Sequence, residues 1–413
     1  MIWWCALLVP ATAGLVTSWI VPWVTRLARR LDAVDRPSDR KLQKEPVPRL
    51  GGVAVVTGIA VAIGLWIVID VLFGLSLPSS EGDLPANHLA RFGFATLAIF
   101  LLGVVDDLRG VSVLWKLVVE VAAAWIVIGV GWQIETVRLP VTGEFALGGW
   151  APVISVVWIV GVTNAINLLD GLDGLAGGVV AIVSGSLMGY ALLHGGDSNM
   201  VLFTCALTGA CLGFLRHNWE PARIYLGDSG SLTLGFMLAS FALLFSVKAS
   251  VTVTILVPIL ALGLPLIDTL LVMAVRFTGR RAGGSFLDRC AGVFKADRQH
   301  LHHLALALGP RRSQIVLALH GLVMAFCLMA VLVALRDDPE LGIGLLIIEV
   351  VAVLSIRKAG LRAQARKLSL NQRAEAKVLL REGRQQQPSP RSQGEPQKLY
   401  RKPHPASSIT DPG

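Results

Sequence analysis

Charge is scarce in this chain: Lys, Arg, Asp and Glu make up 16% of its 413 residues, and 54% are hydrophobic. Soluble domains carry roughly a quarter charged residues, so an ordinary soluble domain is excluded. Cysteine is sparse too, five residues scattered so widely that neither a disulfide framework nor zinc-ligand spacing emerges. Basic residues are missing ahead of the first apolar run and follow it instead, as Arg26, Arg29 and Arg30. That order is the reverse of a secretory signal, and the run is expected to stay as an anchoring helix. The basic segments lack the interleaved aromatics that stack bases, so the net charge of +9 does not point to nucleic acid. Anionic lipid heads and phosphorylated substrates are the expected counter-charges.

What the chain has in abundance is long apolar runs. Crossing roughly 30 Å of hydrocarbon takes about 20 helical residues. About eleven segments qualify: 2–25, 51–74, 89–105, 112–131, 152–169, 174–194, 199–216, 230–247, 251–275, 314–335 and 341–356. The expected fold is all-α, a polytopic membrane protein with its active site on the cytoplasmic face. Arg and Lys crowd 26–49, 276–312 and 357–402, which places those segments inside and the N-terminus outside an inner (plasma) membrane. Residues 1–356 are expected to form a transmembrane catalytic domain. Residues 357–413 read as a basic, largely disordered cytoplasmic tail whose first part, to about 367, can continue the last helix along the lipid surface.

With that topology, acids and histidines far apart in sequence fall on one side. Asp106-Asp107 ends an apolar run; taken alone, the pair is an ordinary solvated helix terminus. The run from Asn164 to Ala176 holds Asn167, Asp170, Gly171, Asp173 and Gly174. Asp170 and Asp173 share a face on a helical turn, and the glycines let a phosphate approach. A calcium loop would need alternating ligands and a closing Glu, which are missing. Asp228, within Gly227-Asp228-Ser229-Gly230-Ser231, suits a magnesium ligand; its plain alternative is a helix N-cap. Arg298, His300, His302 and His303 form a donor-rich patch for a diphosphate, with zinc the main alternative. Arg40, Lys41 and Arg49 in the first loop suit a lipid phosphate or simply anchor the loop inside. Asp268 lies inside a span and is expected to be a structural hydrogen-bond partner.

Together these groups suggest a magnesium-dependent reaction between two phosphates, one soluble and one lipid-borne. Pro48-Arg49-Leu50-Gly51-Gly52, Asp106-Asp107, the Asn164 to Ala176 run, Gly227 to Ser231 and His300-Leu301-His302-His303 also resemble the motifs of the polyprenyl-phosphate N-acetylhexosamine-1-phosphate transferases, glycosyltransferase family 4. The pattern is most similar to the branch using UDP-N-acetylglucosamine and undecaprenyl phosphate. The muramoyl-pentapeptide branch, which would show three consecutive histidines, is the alternative within the family.

The resemblance implies Asp106, Asp107, Asp170 and Asp173 at the catalytic centre, and Mg²⁺, with Mn²⁺ as a substitute, on Asp228 and Asp107. It implies substrate contacts from Arg40, Lys41, Arg49, Asn164, Asn167, Arg298, His300, His302 and His303. The partners implied are a UDP-sugar, a polyprenyl phosphate and the membrane, and a homodimer is compatible with it. The loop at 280–295 is longer than its family counterpart, which leaves the sugar open. A nucleotide-sugar transporter is the rival from another class; it would place acids on broken or repeated helices at the midplane, and no internal repeat is found here. A phosphotransferase acting on cytidine-diphosphate alcohols shares the Asp170 to Ala176 opening but would need an arginine where Gly177 stands.

Overall fold

The computed structural model describes residues 2–36, 45–73, 85–139, 143–193, 198–248, 256–278, 300–336 and 338–385. Among these the chain is almost wholly helical. In order come α1 (Ile2–Arg30), α2 (Gly51–Phe73), α3 (Ala86–Arg109), α4 (Val113–Ile128), α5 (Ala151–Leu169), α6 (Leu175–Leu193) and α7 (Ser198–Asn218). Then follow α8 (Asp228–Lys248), α9 (Leu256–Ala261), α10 (Gly263–Thr278), α11 (Leu301–Ala307), α12 (Arg312–Arg336) and α13 (Pro339–Gln385). Two short antiparallel ribbons interrupt the helices, Val34–Asp35 with Val47–Pro48 and Thr136–Leu139 with Gly143–Ala146.

Nine of the described helices are long and apolar enough to cross a membrane. They coincide with nine of the expected spans. The other two differ for local reasons. The segment expected at 112–131 forms α4, only 16 residues long and interrupted by Lys116 and Glu120. The one expected at 251–275 is divided at Leu262 between α9 and α10, and its residues 251–255 lie outside the described set.

The bundle is organised around α8. Its apolar residues run all round the helix, as a helix buried on every side requires, and nearly all of it is inside the protein. The helices α2, α3, α5 and α6 pack against it. At the periphery α1 lies against α7. There a Cβ at Gly209 would stand 2.1 Å from the carbonyl oxygen of Pro10, the close backbone approach that small residues permit between membrane helices. The outer flanks carry exposed Trp19, Val71, Leu101, Val157 and Leu328, as lipid-facing surface should.

The last helix departs from the expected tail. It runs without interruption to Gln385, because 361–385 contains no proline and is rich in Ala, Leu, Arg, Lys and Gln, all good helix formers. Residues 1–361 and 362–413 are separate compact units.

Candidate active site

The C-terminal ends of α3 and α5 and the first residues of α4, α8 and α12 meet at one end of the bundle, around a cavity of about 370 Å³. Asp107, Asp170, Asp173, Asp228, His303 and Arg312 line it. Four of the acids and one histidine singled out by sequence therefore converge, although they come from four separate stretches of chain, while Asp106 does not line the cavity.

Asp107 is fixed by the helix it faces. Its two carboxylate oxygens accept the backbone N–H groups of Asp228 at 2.9 Å and Ser229 at 3.0 Å, where the unpaired donors and positive end of the α8 dipole favour an anion. Gly227 makes this approach possible. Its φ is +73°, and a Cβ there would lie 2.6 Å from an Asp107 oxygen, so glycine is required twice over.

Lys116, on the first turn of α4, links the acids. Its ammonium donates to Asp106 Oδ2 at 2.6 Å and to Asp228 Oδ2 at 2.5 Å, while Asp106 Oδ1 accepts the N–H of Val111 at 2.5 Å. The other Asp228 oxygen accepts from the Asn167 side chain at 3.1 Å, and the same amide reaches Ser231 Oγ at 2.8 Å. Asn164, one turn earlier on α5, instead donates to Glu120 Oε2 at 2.5 Å and to the Val160 carbonyl at 2.9 Å. It does not line the cavity. Lys116 and Glu120 were missed by sequence reasoning because they fall within an apolar run. An ionisable pair inside a span is itself the signal that should have marked them.

The turn between α5 and α6 is stapled from behind. Asp173 Oδ2 accepts the Ala222 N–H at 2.9 Å; Asn218 Oδ1 accepts that of Gly174 at 2.9 Å, and its amide donates to the Ile224 carbonyl at 2.9 Å. Burial pushes the Asp170 carboxyl up to about 8, with further upward pressure from Asp228, Asp107 and Asp173. Burial also raises Asp173, against the stabilising N–H of Ala222. Both acids are raised first by burial and then by neighbouring carboxylates, Asp228, Asp107 and Asp173 for Asp170 and Glu220 for Asp173, and a cation in the cavity would favour their charged forms.

The histidines sit above this turn. The His302 ring covers Gly171 so closely that a Cβ there would be 2.4 Å from Nε2. His302 is buried, with no hydrogen-bond partner for either ring nitrogen among the described residues. Burial, then His303 and His300, push it down to about 3, so it is neutral. His303 faces the cavity, its ring centroid 4.3 Å from that of His302. His300 points away, into a buried contact between Nδ1 and Asp268 Oδ2 at 3.0 Å. Asp268 Oδ1 accepts the N–H of Leu301 at 2.9 Å, and Arg357 stands 3.8 Å from the same oxygen. Asp268 is thus the structural partner that its place in a span suggested.

Arg49 lines the cavity and bonds Asp35 at 2.8 Å. The chain around it is pinned to the approach to α8: Tyr225 donates to Pro48 at 2.8 Å, and Gly51 and Gly52 donate to Tyr225 at 3.0 Å and Leu226 at 2.8 Å. The double glycine therefore docks the first loop under Asp228. Arg40, Lys41 and Arg298 lie outside the described residues.

No group of three or more His, Cys, Asp or Glu arranged to hold a metal is found among the described residues. The donor chemistry nonetheless fits a hard divalent ion. Mg²⁺ is commonly held by one or two carboxylates plus substrate phosphates and water rather than by an all-protein cage, and the cavity offers Asp228, Asp107 and Asp170. A closed structural zinc site needs four ligands, and His300 is already committed to Asp268.

A helical bundle with an apolar outer surface that gathers carboxylates, two arginines and a histidine around a cavity at one end defines a class: polytopic membrane proteins with a polar, carboxylate-rich site at one end of the bundle. A family model described as glycosyl transferase family 4 matches residues 89–246, the stretch from α3 to α8 that contributes all five aspartates discussed from Asp106 to Asp228. The chain is 30% identical over 313 residues to a probable undecaprenyl-phosphate N-acetylglucosaminyl 1-phosphate transferase of Bacillus subtilis (strain 168), covering 76% of this chain and 80% of the relative. It is 30% identical over 390 residues to the decaprenyl-phosphate N-acetylglucosaminephosphotransferase of Mycolicibacterium smegmatis, covering 86% and 89%. A phospho-N-acetylmuramoyl-pentapeptide-transferase of Synechococcus elongatus is 31% identical over 249 residues, 56% of this chain and 62% of the relative. The chain belongs to glycosyl transferase family 4.

Proposed function

We propose that this protein transfers N-acetylglucosamine 1-phosphate from UDP-N-acetylglucosamine to a polyprenyl phosphate, releasing UMP and leaving a polyprenyl-diphosphate sugar. The observation that carries the proposal is the gathering of Asp107, Asp170, Asp173 and Asp228 around one cavity, with the Lys116 ammonium shared between Asp228 and Asp106 beside it. The names of the relatives reported above for N-acetylglucosamine transfer and the interruption of the histidine run by Leu301 favour this sugar over the muramoyl-pentapeptide. The site end of the bundle would face the cytoplasm, with the N-terminus outside and the C-terminus inside, as the basic loops suggest.

In this reaction an oxygen of the lipid phosphate attacks the phosphorus that bears the sugar, and the bond from that phosphorus to the bridging oxygen of UDP breaks. Asp228, with Asp107 beside it, is the group to hold Mg²⁺, which when bound neutralises diphosphate charge. Lys116, bonded to Asp228, would stabilise charge on the departing phosphate. Asp106, held beside the cavity by Lys116 and the Val111 N–H, would take the proton of the incoming lipid phosphate. His303, Arg49 and Arg312 supply donors around the cavity rim, while neutral His302 closes the floor over Gly171.

The test is transfer of radiolabel from UDP-N-acetylglucosamine into an organic extract by purified protein, with undecaprenyl phosphate and Mg²⁺ each omitted in turn. Label should enter the organic phase only when both are present. Transfer from UDP-N-acetylmuramoyl-pentapeptide and not from UDP-N-acetylglucosamine would overturn the sugar assignment.

A further inference from the structure

Glu349 lies about 15 Å along α13 from its start at Pro339, at about 1.5 Å per residue, half-way into a hydrocarbon layer of roughly 30 Å. It is fully buried, and among the described residues neither carboxylate oxygen has a hydrogen-bond partner. An acid at that depth is costly and marks a site by default. The carboxylate meets the break in a neighbouring helix. A Cβ on Gly263, the first residue of α10, would collide with Glu349 Oε2 and stand 3.3 Å from the Phe326 ring. On the other side of the break α9 ends at Ala261. In a continuous helix the Ala261 carbonyl would take the N–H of residue 265, but that residue is Pro265, which has none. The Ala261 oxygen accepts the Cys327 thiol at 3.9 Å, a weak donor. Cys327 is near enough to Glu349 for the two to interact electrostatically. The break thus brings an unpaired carboxylate close to an under-used carbonyl at a helix C-terminal end, whose dipole attracts cations.

We propose that Glu349 and the Ala261 carbonyl bind a small monovalent cation, H⁺ or Na⁺, which ties α13 to the break between α9 and α10. Released carbonyls and half-helix ends coordinate these same ions in membrane proteins whose helices are broken near the midplane. In a transporter such an ion would sit on the substrate path; here Glu349 takes no part in lining the polar cavity, and the ion is a resident one. A single negative charge beside Gly263 and Phe326 matches one unit of positive charge, whereas Mg²⁺ demands six ligands in near-ideal geometry. The other ionisable groups of the surrounding helices are engaged elsewhere. Asp268 of α10 holds His300 and the Leu301 N–H, Arg357 of α13 stands against Asp268, and His320 of α12 meets the Leu175 carbonyl. The short α9 has none, and Cys327 is the remaining titratable neighbour. Occupancy matters beyond the site itself. It would hold α10 to α13 at Gly263, as Arg357 does at Asp268, and Asp268 is the residue on which the histidine segment hangs.

The test is thermal melting of the full chain in detergent, across the pH range in which it stays folded, in sodium chloride and in choline chloride of equal ionic strength. A cation bound by the folded protein and not by the unfolded chain stabilises by mass action. In choline, the melting temperature of the wild type should therefore fall by several degrees relative to Glu349→Gln as pH rises, because the site empties and leaves a bare carboxylate in the span. Sodium should restore the loss if Na⁺ is a ligand and leave it unchanged if H⁺ alone is. Glu349→Gln, neutral and of the same shape, should respond to neither ion through this site. Glu340→Gln, at the exposed start of α13, and Cys327→Ser should both behave as the wild type. Wild type and Glu349→Gln melting in parallel in both salts would overturn the site, and loss of the dependence in Cys327→Ser would overturn it by assigning the titration to the thiol. Should Glu349→Gln not fold, the comparison passes to Glu349→Asp, whose dependence must be displaced along the pH axis; a midpoint identical to that of the wild type would overturn the site equally.

Discussion

The carboxylate of Asp107 caps the helix that Asp228 begins, accepting its backbone N–H at 2.9 Å and that of Ser229 at 3.0 Å. The two acids are thereby held side by side, one oriented by the peptide donors of the other. Exchanging charge for shape separates the capping role from the chemical one. Asp107→Asn retains one acceptor oxygen, so the cost to stability should stay near 1 kcal/mol, readable as a small fall in melting temperature in detergent. Turnover should fall at least about 100-fold. Near-normal rates would remove Asp107 from the catalytic centre.

Lys116 occupies the position between Asp106 and Asp228 where a divalent ion would also be attracted. Lys116→Met should leave two carboxylates facing one another without their shared cation, and a titration with Mg²⁺ should then saturate at the same or a lower concentration than in the wild type. Turnover should nonetheless fall about 100-fold or more, because the departing phosphate loses its donor. Weaker Mg²⁺ binding together with retained turnover would contradict both halves of this assignment.

The parts of the site legible in the sequence were those in which polar residues cluster within a few positions: Asp106-Asp107, the Asp170 turn, Asp228 between glycines and the histidine triplet. Such clusters stand out at the ends of apolar runs because burying them inside a span would be costly. Lys116, Glu120 and Asn218 did not stand out. Each lies in a helix that reads as apolar, and each has a partner more than 40 positions away that the sequence does not display: Asp228 for Lys116, Asn164 for Glu120 and Gly174 for Asn218. The span pattern was legible for the same reason that it was imprecise. Hydropathy registers length, but a Lys and a Glu one turn apart or a break at Leu262 decides where a helix ends.

His302 gives the fold a dependence on acid. Its native form is held down to about 3 by burial and by the neighbouring histidines, against 6.5 in the unfolded chain. Between those values the unfolded state carries a proton that the folded state does not, so stability rises with pH through the window and is lost progressively as pH falls from 6.5 toward 3. The thermal midpoint of the wild type should therefore drop more between pH 7.5 and pH 5 than that of His302→Asn, which cannot titrate there. Equal drops would show that His302 is protonated in the folded protein.

The last helix is expected to divide close to Arg357 into a part that activity needs and a part that it does not. That residue is buried and stands 3.8 Å from Asp268 Oδ1, and Asp268 in turn holds His300 Nδ1 and the Leu301 N–H at the start of α11. Truncation after residue 370 keeps this chain of contacts intact and should leave activity readily measurable in a membrane assay. Truncation after residue 356 removes Arg357 from a buried carboxylate, leaving Asp268 with His300 as its remaining side-chain partner among the described residues, and breaking such a buried pair costs about 3–5 kcal/mol. The shorter protein should insert but lose activity by an order of magnitude or more, and Arg357→Lys in the full chain, which keeps the charge, should fall between the two. Full activity after the deeper truncation would mean that the histidines are positioned without help from α13.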